Sequence, residues 1–296
     1  MRCTVRQNLR CLMLSLSCCV LALPGCGGGS AEPEATDAAS EIATDAAPAE
    51  DAAAEPTIGE KIAGAGQALG AAVDAKIDEV DMKLDNLQAK LDEKLAQSQI
   101  PDDIRQVFKT AIDDLKATGI EASALNEGDQ AFDFSLPNAT GNEIQLSDLY
   151  AKGPVVLTWY RGGWCPYCNI SLQAMQQALP AIQSAGGTLV AVTPETPDNT
   201  LTTTEKNELK FIVLSDAGNQ IASEYGLVFK LADAVSPLYK RFGIDLEATN
   251  GTDSDELPLA ATYVIDATGK IRWAFLDADY TKRAEPADVV EALKAL

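Results

Sequence analysis

Two cysteines, Cys165 and Cys168, stand three residues apart in the run Trp164-Cys165-Pro166-Tyr167-Cys168. Thiols at that spacing can close a disulfide, and backbone N–H groups at a helix start stabilise a thiolate, the nucleophilic form of cysteine. The neighbouring residues suit that use. Val155-Val156-Leu157-Thr158-Trp159-Tyr160 reads as a buried strand, and residues 168–185 read as a helix that Pro180 should kink. A strand, a short loop and Cys-x-x-Cys opening a helix is the layout of a thiol redox centre. Position alone makes Cys165, nearest the helix start, the more exposed and more acidic thiol.

Composition narrows the chemistry. The chain of 296 residues has no histidine, which removes Cys–His and Ser–His catalysis and most zinc-site layouts. No metal and no cofactor is implied. Formal charge is −21, and without Arg2, Arg6 and Arg10 the balance is 20 basic against 44 acidic residues, which argues against nucleic-acid binding through charge. Asp277-Ala278-Asp279-Tyr280 is acidic but lacks further ligands at metal-binding spacing, so it reads as a solvated loop.

The other five cysteines lie at the N-terminus. Arg2, Arg6 and Arg10 precede or enter an apolar stretch, 11–24, too short for a membrane-spanning helix, so residues 1–25 read as an export signal. The stretch ends at Leu23-Pro24-Gly25-Cys26, which resembles the lipobox of bacterial lipoproteins. That resemblance implies cleavage before Cys26, lipidation of Cys26, and a protein anchored on the periplasmic side of the cell envelope. Residues 26–57 are acidic and nearly devoid of large apolar side chains, the composition of a disordered tether.

Residues 58–118 read as a helical stalk. Val73, Ile77, Val80, Leu84, Leu87 and Leu91 form a coiled-coil-like seam. Either it pairs two chains through residues 73–95 as a homodimer, or it packs one amphipathic helix on its own domain, or it stands as a single charged helix. Pro101 breaks the pattern, and a second amphipathic helix runs to about Thr118.

From residue 119 onward strands and helices alternate. Expected strands are 132–136, 143–146, 155–160, 188–193, 210–214, 262–266 and 271–276. Expected helices are 168–185, 200–209, 219–225 and 285–296, with a helical turn at 147–149.

Residues 119–296 resemble the peroxiredoxin-like branch of the alkyl hydroperoxide reductase / thiol-specific antioxidant superfamily. The segments that carry the likeness are 128–136, 160–169, Leu214-Ser215-Asp216 and 261–266. The resemblance implies an α/β thioredoxin-like fold, a central mixed sheet flanked by helices. It also implies a thiol-dependent peroxidase acting on hydroperoxides, with a thioredoxin-like or other thiol as reductant. The sequence departs from the family pattern in three places. If Cys168 matches the peroxide-reactive cysteine, Cys165 stands where a threonine or serine is usual and Arg161 where a proline is usual. Ala260 stands where a catalytic arginine often lies. Arg161 is then either a replacement cation beside the thiolate or a loop ion-pairing residue. Trp164 either shields the thiols or simply packs. Two cycles remain open, one with Cys165 attacking and Cys168 resolving, the other with the roles exchanged. Thiol–disulfide exchange on envelope proteins and a non-catalytic scaffold lipoprotein are the competing functions.

Overall fold

The structure is a computed structural model that describes residues 86–296. The leader, Cys26, the tether and the seam positions 73–84 lie outside the described residues. The chain enters through α1 (Leu87–Ala96), α2 (Asp102–Ala117) and a single turn, α3 (Ile120–Ser123). Next come β1 (Ser135–Pro137), β2 (Glu143–Gln145), α4 (Leu146–Tyr150), β3 (Val155–Trp159), α5 (Pro166–Ser184), β4 (Thr188–Thr193), α6 (Pro197–Lys206) and β5 (Ile212–Ser215). The remainder is α7 (Gln220–Glu224), β6 (Val228–Lys230), α8 (Ser236–Arg241), α9 (Leu246–Asn250), β7 (Glu256–Pro258), β8 (Thr262–Ile265), β9 (Ile271–Phe275) and α10 (Pro286–Lys294).

The central sheet has the order β5-β4-β3-β8-β9, parallel across the first three strands and antiparallel at β8 and β9. This is a thioredoxin-like fold, with the strand that delivers the dithiol loop in the middle. All five residues of β3 are buried because helices and loops cover both faces. Val155, Leu157 and Trp159 join Phe134, Leu146, Tyr225 and Tyr263 on one face. Val156 faces α5 and α10 on the other, against Met175, Ile182, Val289 and Leu293. At about 1.5–3 kcal/mol per fully buried large aliphatic side chain, these layers hold β3 firmly in place. The loop after it therefore starts from a rigid platform.

Leu87 and Leu91, the last two seam positions, are 2 % and 0 % exposed and pack with Tyr167 and Leu172 of α5. The Glu285 carboxylate accepts from the N–H groups of Leu87 (3.0 Å) and Gln88 (2.7 Å), fixing the start of α1. Among the described residues the helical segment thus lies against the body, and these two leucines face their own domain. On α2, Phe108 and Ala111 pack toward Leu231, Val235 and Tyr239.

Three expectations need correction. The strand expected at 132–136 runs instead over Ser135–Pro137, and ahead of it the Asp133 carboxylate accepts from the backbone N–H groups of Phe134 and Ser147. Helix α6 starts at Pro197 rather than 200, with the proline in the first turn where no N–H is needed. The 277–280 segment is not a solvated loop. Ala278 is buried, Asp277 pairs with Lys116 at 2.8 Å, and the Tyr280 ring packs edge-on against Tyr167.

Candidate active site

The dithiol loop runs from the end of β3 to the first turn of α5. Cys165 is the N-cap of α5, with extended backbone angles, and its Sγ accepts from the Cys168 N–H at 3.4 Å. Pro166 follows in the first helical turn, where its missing N–H costs nothing. Both cysteines are free thiols with no exposed surface.

A buried polar frame sets the loop. The Gly163 N–H donates to Glu195 Oε1 at 3.0 Å, and Thr203 donates to Glu195 Oε2 at 3.2 Å. The Asn169 amide reaches the Gly163 carbonyl at 2.8 Å. A Cβ at Gly163 would sit 2.0 Å from Thr203 Oγ1, so this approach admits only glycine. Burial pushes the Glu195 carboxyl up, and the bonds from Gly163 and Thr203 offset part of that.

Each thiol has its own guanidinium. Arg161 Nη2 donates to Cys165 Sγ at 3.2 Å and Arg161 Nη1 to Tyr239 Oη at 2.9 Å. Arg283 Nη2 donates to Cys168 Sγ at 3.2 Å, and its Nη1 is held by the Lys282 carbonyl at 2.6 Å. Arg161 and Arg283 are only 4 % and 7 % exposed. The Arg161 guanidinium lies 4.0 Å from the Tyr280 ring centre and 5.3 Å from that of Trp164. Tyrosine and tryptophan faces thus help a cation tolerate burial.

The two sulfurs are electrostatically unequal. Burial and the hydrogen bond to Cys168 push the Cys165 thiol well up, against the pull of Arg161. Burial also opposes charge on Cys168, but the hydrogen bond from Cys165, then Arg283 and Arg161, outweigh it and hold this thiol well below the ordinary range. The surroundings thus favour the thiolate on Cys168 over Cys165. This reverses the expectation that Cys165 is the exposed, acidic member. Helix position favours Cys165, but burial and the hydrogen bond to Cys168 push its thiol up, whereas that bond, then Arg283 and Arg161, pull Cys168 down.

The structure brings together all four residues singled out around the loop: Cys165, Cys168, Arg161 and Trp164. Ala260 is buried and carries no charge to the site. Arg283, Glu195 and Tyr239 carry no local signal in the sequence, and Tyr280 stands in the segment expected to be a solvated loop. Arg283 stands 115 positions after Cys168 with no motif around it, and nothing in its local pattern distinguishes it from a surface arginine. No group of three or more residues able to hold a metal occurs among the described residues.

A family model described as the AhpC/TSA family matches residues 127–274. A protein of Mycobacterium tuberculosis strain H37Rv that carries a peroxiredoxin name is 27 % identical over 153 residues, spanning 51 % of this chain and 93 % of its own length. Peroxiredoxin Bcp of Escherichia coli K12 is 26 % identical over 103 residues, 35 % of this chain and 65 % of that protein. Among solved structures, peroxidoxin BcpB of Mycobacterium tuberculosis aligns with a TM-score of 0.47 at 21 % identity, covering 58 % of this chain and 98 % of that one.

Proposed function

Since the chain belongs to the AhpC/TSA family, we propose that it is a peroxiredoxin-type thiol peroxidase working through a Cys168-first dithiol cycle. The observation that carries the order of steps is the inequality of the two sulfurs. The surroundings favour the thiolate on Cys168, to which Arg283 donates at 3.2 Å, and disfavour it on Cys165.

In the first step the Cys168 thiolate attacks the terminal oxygen of a hydroperoxide, ROOH. The O–O bond breaks, Cys168 becomes a sulfenic acid, and RO⁻ takes a proton from water and leaves as ROH. Arg283 and Arg161 face the negative charge as it moves from sulfur to the leaving oxygen, the type of fixed donor that stabilises such a transition state. In the second step Cys165 condenses with the sulfenic acid, forming the Cys165–Cys168 disulfide and releasing water. An external dithiol, of thioredoxin-like type, then exchanges with the disulfide and returns both thiols.

Both sulfurs are completely buried in this conformation. The same burial requires the loop or α1 to move before a protein reductant reaches the disulfide. Stopped-flow oxidation of the reduced protein by hydrogen peroxide tests the reading. The expected result is oxidation far faster than a free small thiol, ending in the Cys165–Cys168 disulfide, with Cys165→Ser stopping at a sulfenic acid on Cys168. Oxidation no faster than a free thiol overturns it.

Lipid attachment at Cys26 and an envelope location remain proposals that rest on the leader sequence. Incorporation of labelled palmitate, lost in Cys26→Ala, tests them. A homodimer through 73–95 now rests on seam positions 73–84 alone, since Leu87 and Leu91 are used within the chain. Sedimentation of the full chain against one truncated before residue 86 tests it.

A further inference from the structure

Two buried guanidiniums flank the thiol pair, Arg161 donating to Cys165 Sγ and Arg283 to Cys168 Sγ. In the dithiol form a thiolate on Cys168, the state its surroundings favour, answers part of that charge. When the disulfide closes, the two thiols give up two protons and two electrons, to the hydroperoxide in the cycle proposed above, and neither sulfur is then an anion. Arg283 keeps the carbonyls of Tyr280 and Lys282. Arg161 keeps the Tyr239 hydroxyl and the ring faces of Tyr280 and Trp164. Its main electrostatic neighbours are the two cysteines, Tyr239 and Tyr280, with no carboxylate among them. Its buried Nε–H has no hydrogen-bond partner. A buried cation without a counter-charge is costly, so the oxidised protein has a use for an anion at this residue.

There is room for one. Arg161 lines a cavity of about 220 Å³ whose apolar wall includes Phe108, Leu115, Leu231, Val235 and Tyr280. The other charged lining residues, Asp114 and Lys230, are exposed and of opposite sign, so among the described residues Arg161 is the one buried charge of the lining. Neither cysteine lines the cavity, so an occupant meets the cation and not the sulfurs. An apolar cavity of about 150 Å³ already takes up benzene, so this one suits a body of about eight to ten non-hydrogen atoms.

We propose that the cavity binds a compact monocarboxylate with an apolar body, and binds it preferentially in the disulfide state. The carboxylate accepts from Arg161 Nε–H, the edge of the guanidinium left free, and the body lies against the apolar wall. Such a ligand supplies at Arg161 the negative charge that the thiolate supplies in the dithiol form. By linkage it stabilises the disulfide relative to the dithiol and makes the pair harder to reduce. Phe108 and Leu115 belong to α2, ahead of the family-matched span, so the site depends on a helix outside that span. The proposal rests on the disulfide of the cycle above but not on the peroxide reaction.

The test uses the full chain, either oxidised with diamide, which takes up the two protons and two electrons, or reduced with dithiothreitol. Hexanoate is the probe, mass spectrometry locates the disulfide at Cys165–Cys168, and titration calorimetry measures binding. Hexanoate is expected to bind the disulfide form at least tenfold more tightly than the dithiol form, the scale of one charge-assisted hydrogen bond. Hexanamide, which lacks the charge, and acetate, which lacks the body, should bind far more weakly. In glutathione buffers, saturating hexanoate should lower the Cys165–Cys168 potential by about 30 mV, the shift that a tenfold difference gives a two-electron couple. Arg161→Met should remove the preference for the disulfide form, and Ala111→Phe, which fills the cavity, should remove binding. No binding to the disulfide form, equal binding to both forms, or equal binding of hexanamide overturns the proposal, and these comparisons need no variant to fold. A chain that diamide leaves without this disulfide overturns it as well. If hexanoate binds as expected but hydrogen peroxide oxidises the chain no faster than a free thiol, the site stands and the peroxidase reading falls. If that oxidation is fast and hexanoate binds neither form, the peroxidase reading stands and the site falls.

Discussion

Residues 127–274 and the stretches on either side of them build one site from different materials. The family-matched span supplies both sulfurs, the strand and helix that hold them, Arg161, and the Glu195 frame under the loop. The flanks supply what surrounds the sulfurs. Arg283, just before α10, places a cation on Cys168, and Leu87 and Leu91 lie in the same buried cluster as the two cysteines. Nucleophile and scaffold thus come from one region, while the bias of the thiol pair and access to it depend heavily on the other. A cysteine in a fixed loop gains its reactivity from nearby charge and desolvation, and these need no contiguity in sequence.

That division can be broken from both sides. The largest effect should come from within the matched span. Cys168→Ser should lower peroxidase kcat/KM by roughly 10⁴-fold or more, as nucleophile deletions do. Comparable loss in Cys165→Ser at the first oxidation, rather than at disulfide formation, would reverse the assigned order. Leu91→Ala in the flank should cost about 2–5 kcal/mol of stability through the cavity it leaves, measured by urea unfolding. It should also speed labelling of Cys165 and Cys168 by a bulky maleimide. Unchanged labelling would mean that α1 is not what shields the thiols.

Arg283→Met should remove a charge-assisted hydrogen bond worth about 1.5–3 kcal/mol to the thiolate, slowing oxidation near neutral pH by roughly ten- to a hundredfold. Its sign is also visible in pH. The rate falls as pH drops through the Cys168 pKa, because the thiolate is protonated, and loss of the cation must move that acidic limb to higher pH. A limb that stays in place would show that Arg283 only packs. The smallest effect belongs to Glu285→Ala, which frees two N–H groups at the start of α1 and should cost about 0.5–2 kcal/mol. A loss confined to hydrogen exchange in α1 would keep the flank a separable layer, whereas a shift in the whole unfolding transition would make it part of the cooperative core.

The sequence was read well where local rules suffice. Strand β4 falls on residues 188–193 as its apolar run requires, and β3 ends one residue short of the expected 160, although the Tyr160 N–H still donates to the Val192 carbonyl at 3.0 Å. Elements β6, α8, α9 and β7 went unseen, for three to six residues are too few to show a period. The segment holding Tyr280 and Arg283 is not legible locally, because its meaning lies in contacts with α2, Tyr167 and Cys168, more than 100 positions away in the chain.

By itself the sequence determined the kind of chemistry. Cys-x-x-Cys between a buried strand and a helix, with no histidine anywhere, leaves a thiol pair as the reactive group, and these are matters of residue type and short-range spacing. Only the tertiary structure decided which guanidinium meets which sulfur and what covers the pair. Those depend on through-space distances of a few ångströms to Arg283 and Arg161 and on helices folded over the loop, and in a low-dielectric interior such distances outweigh position along the chain.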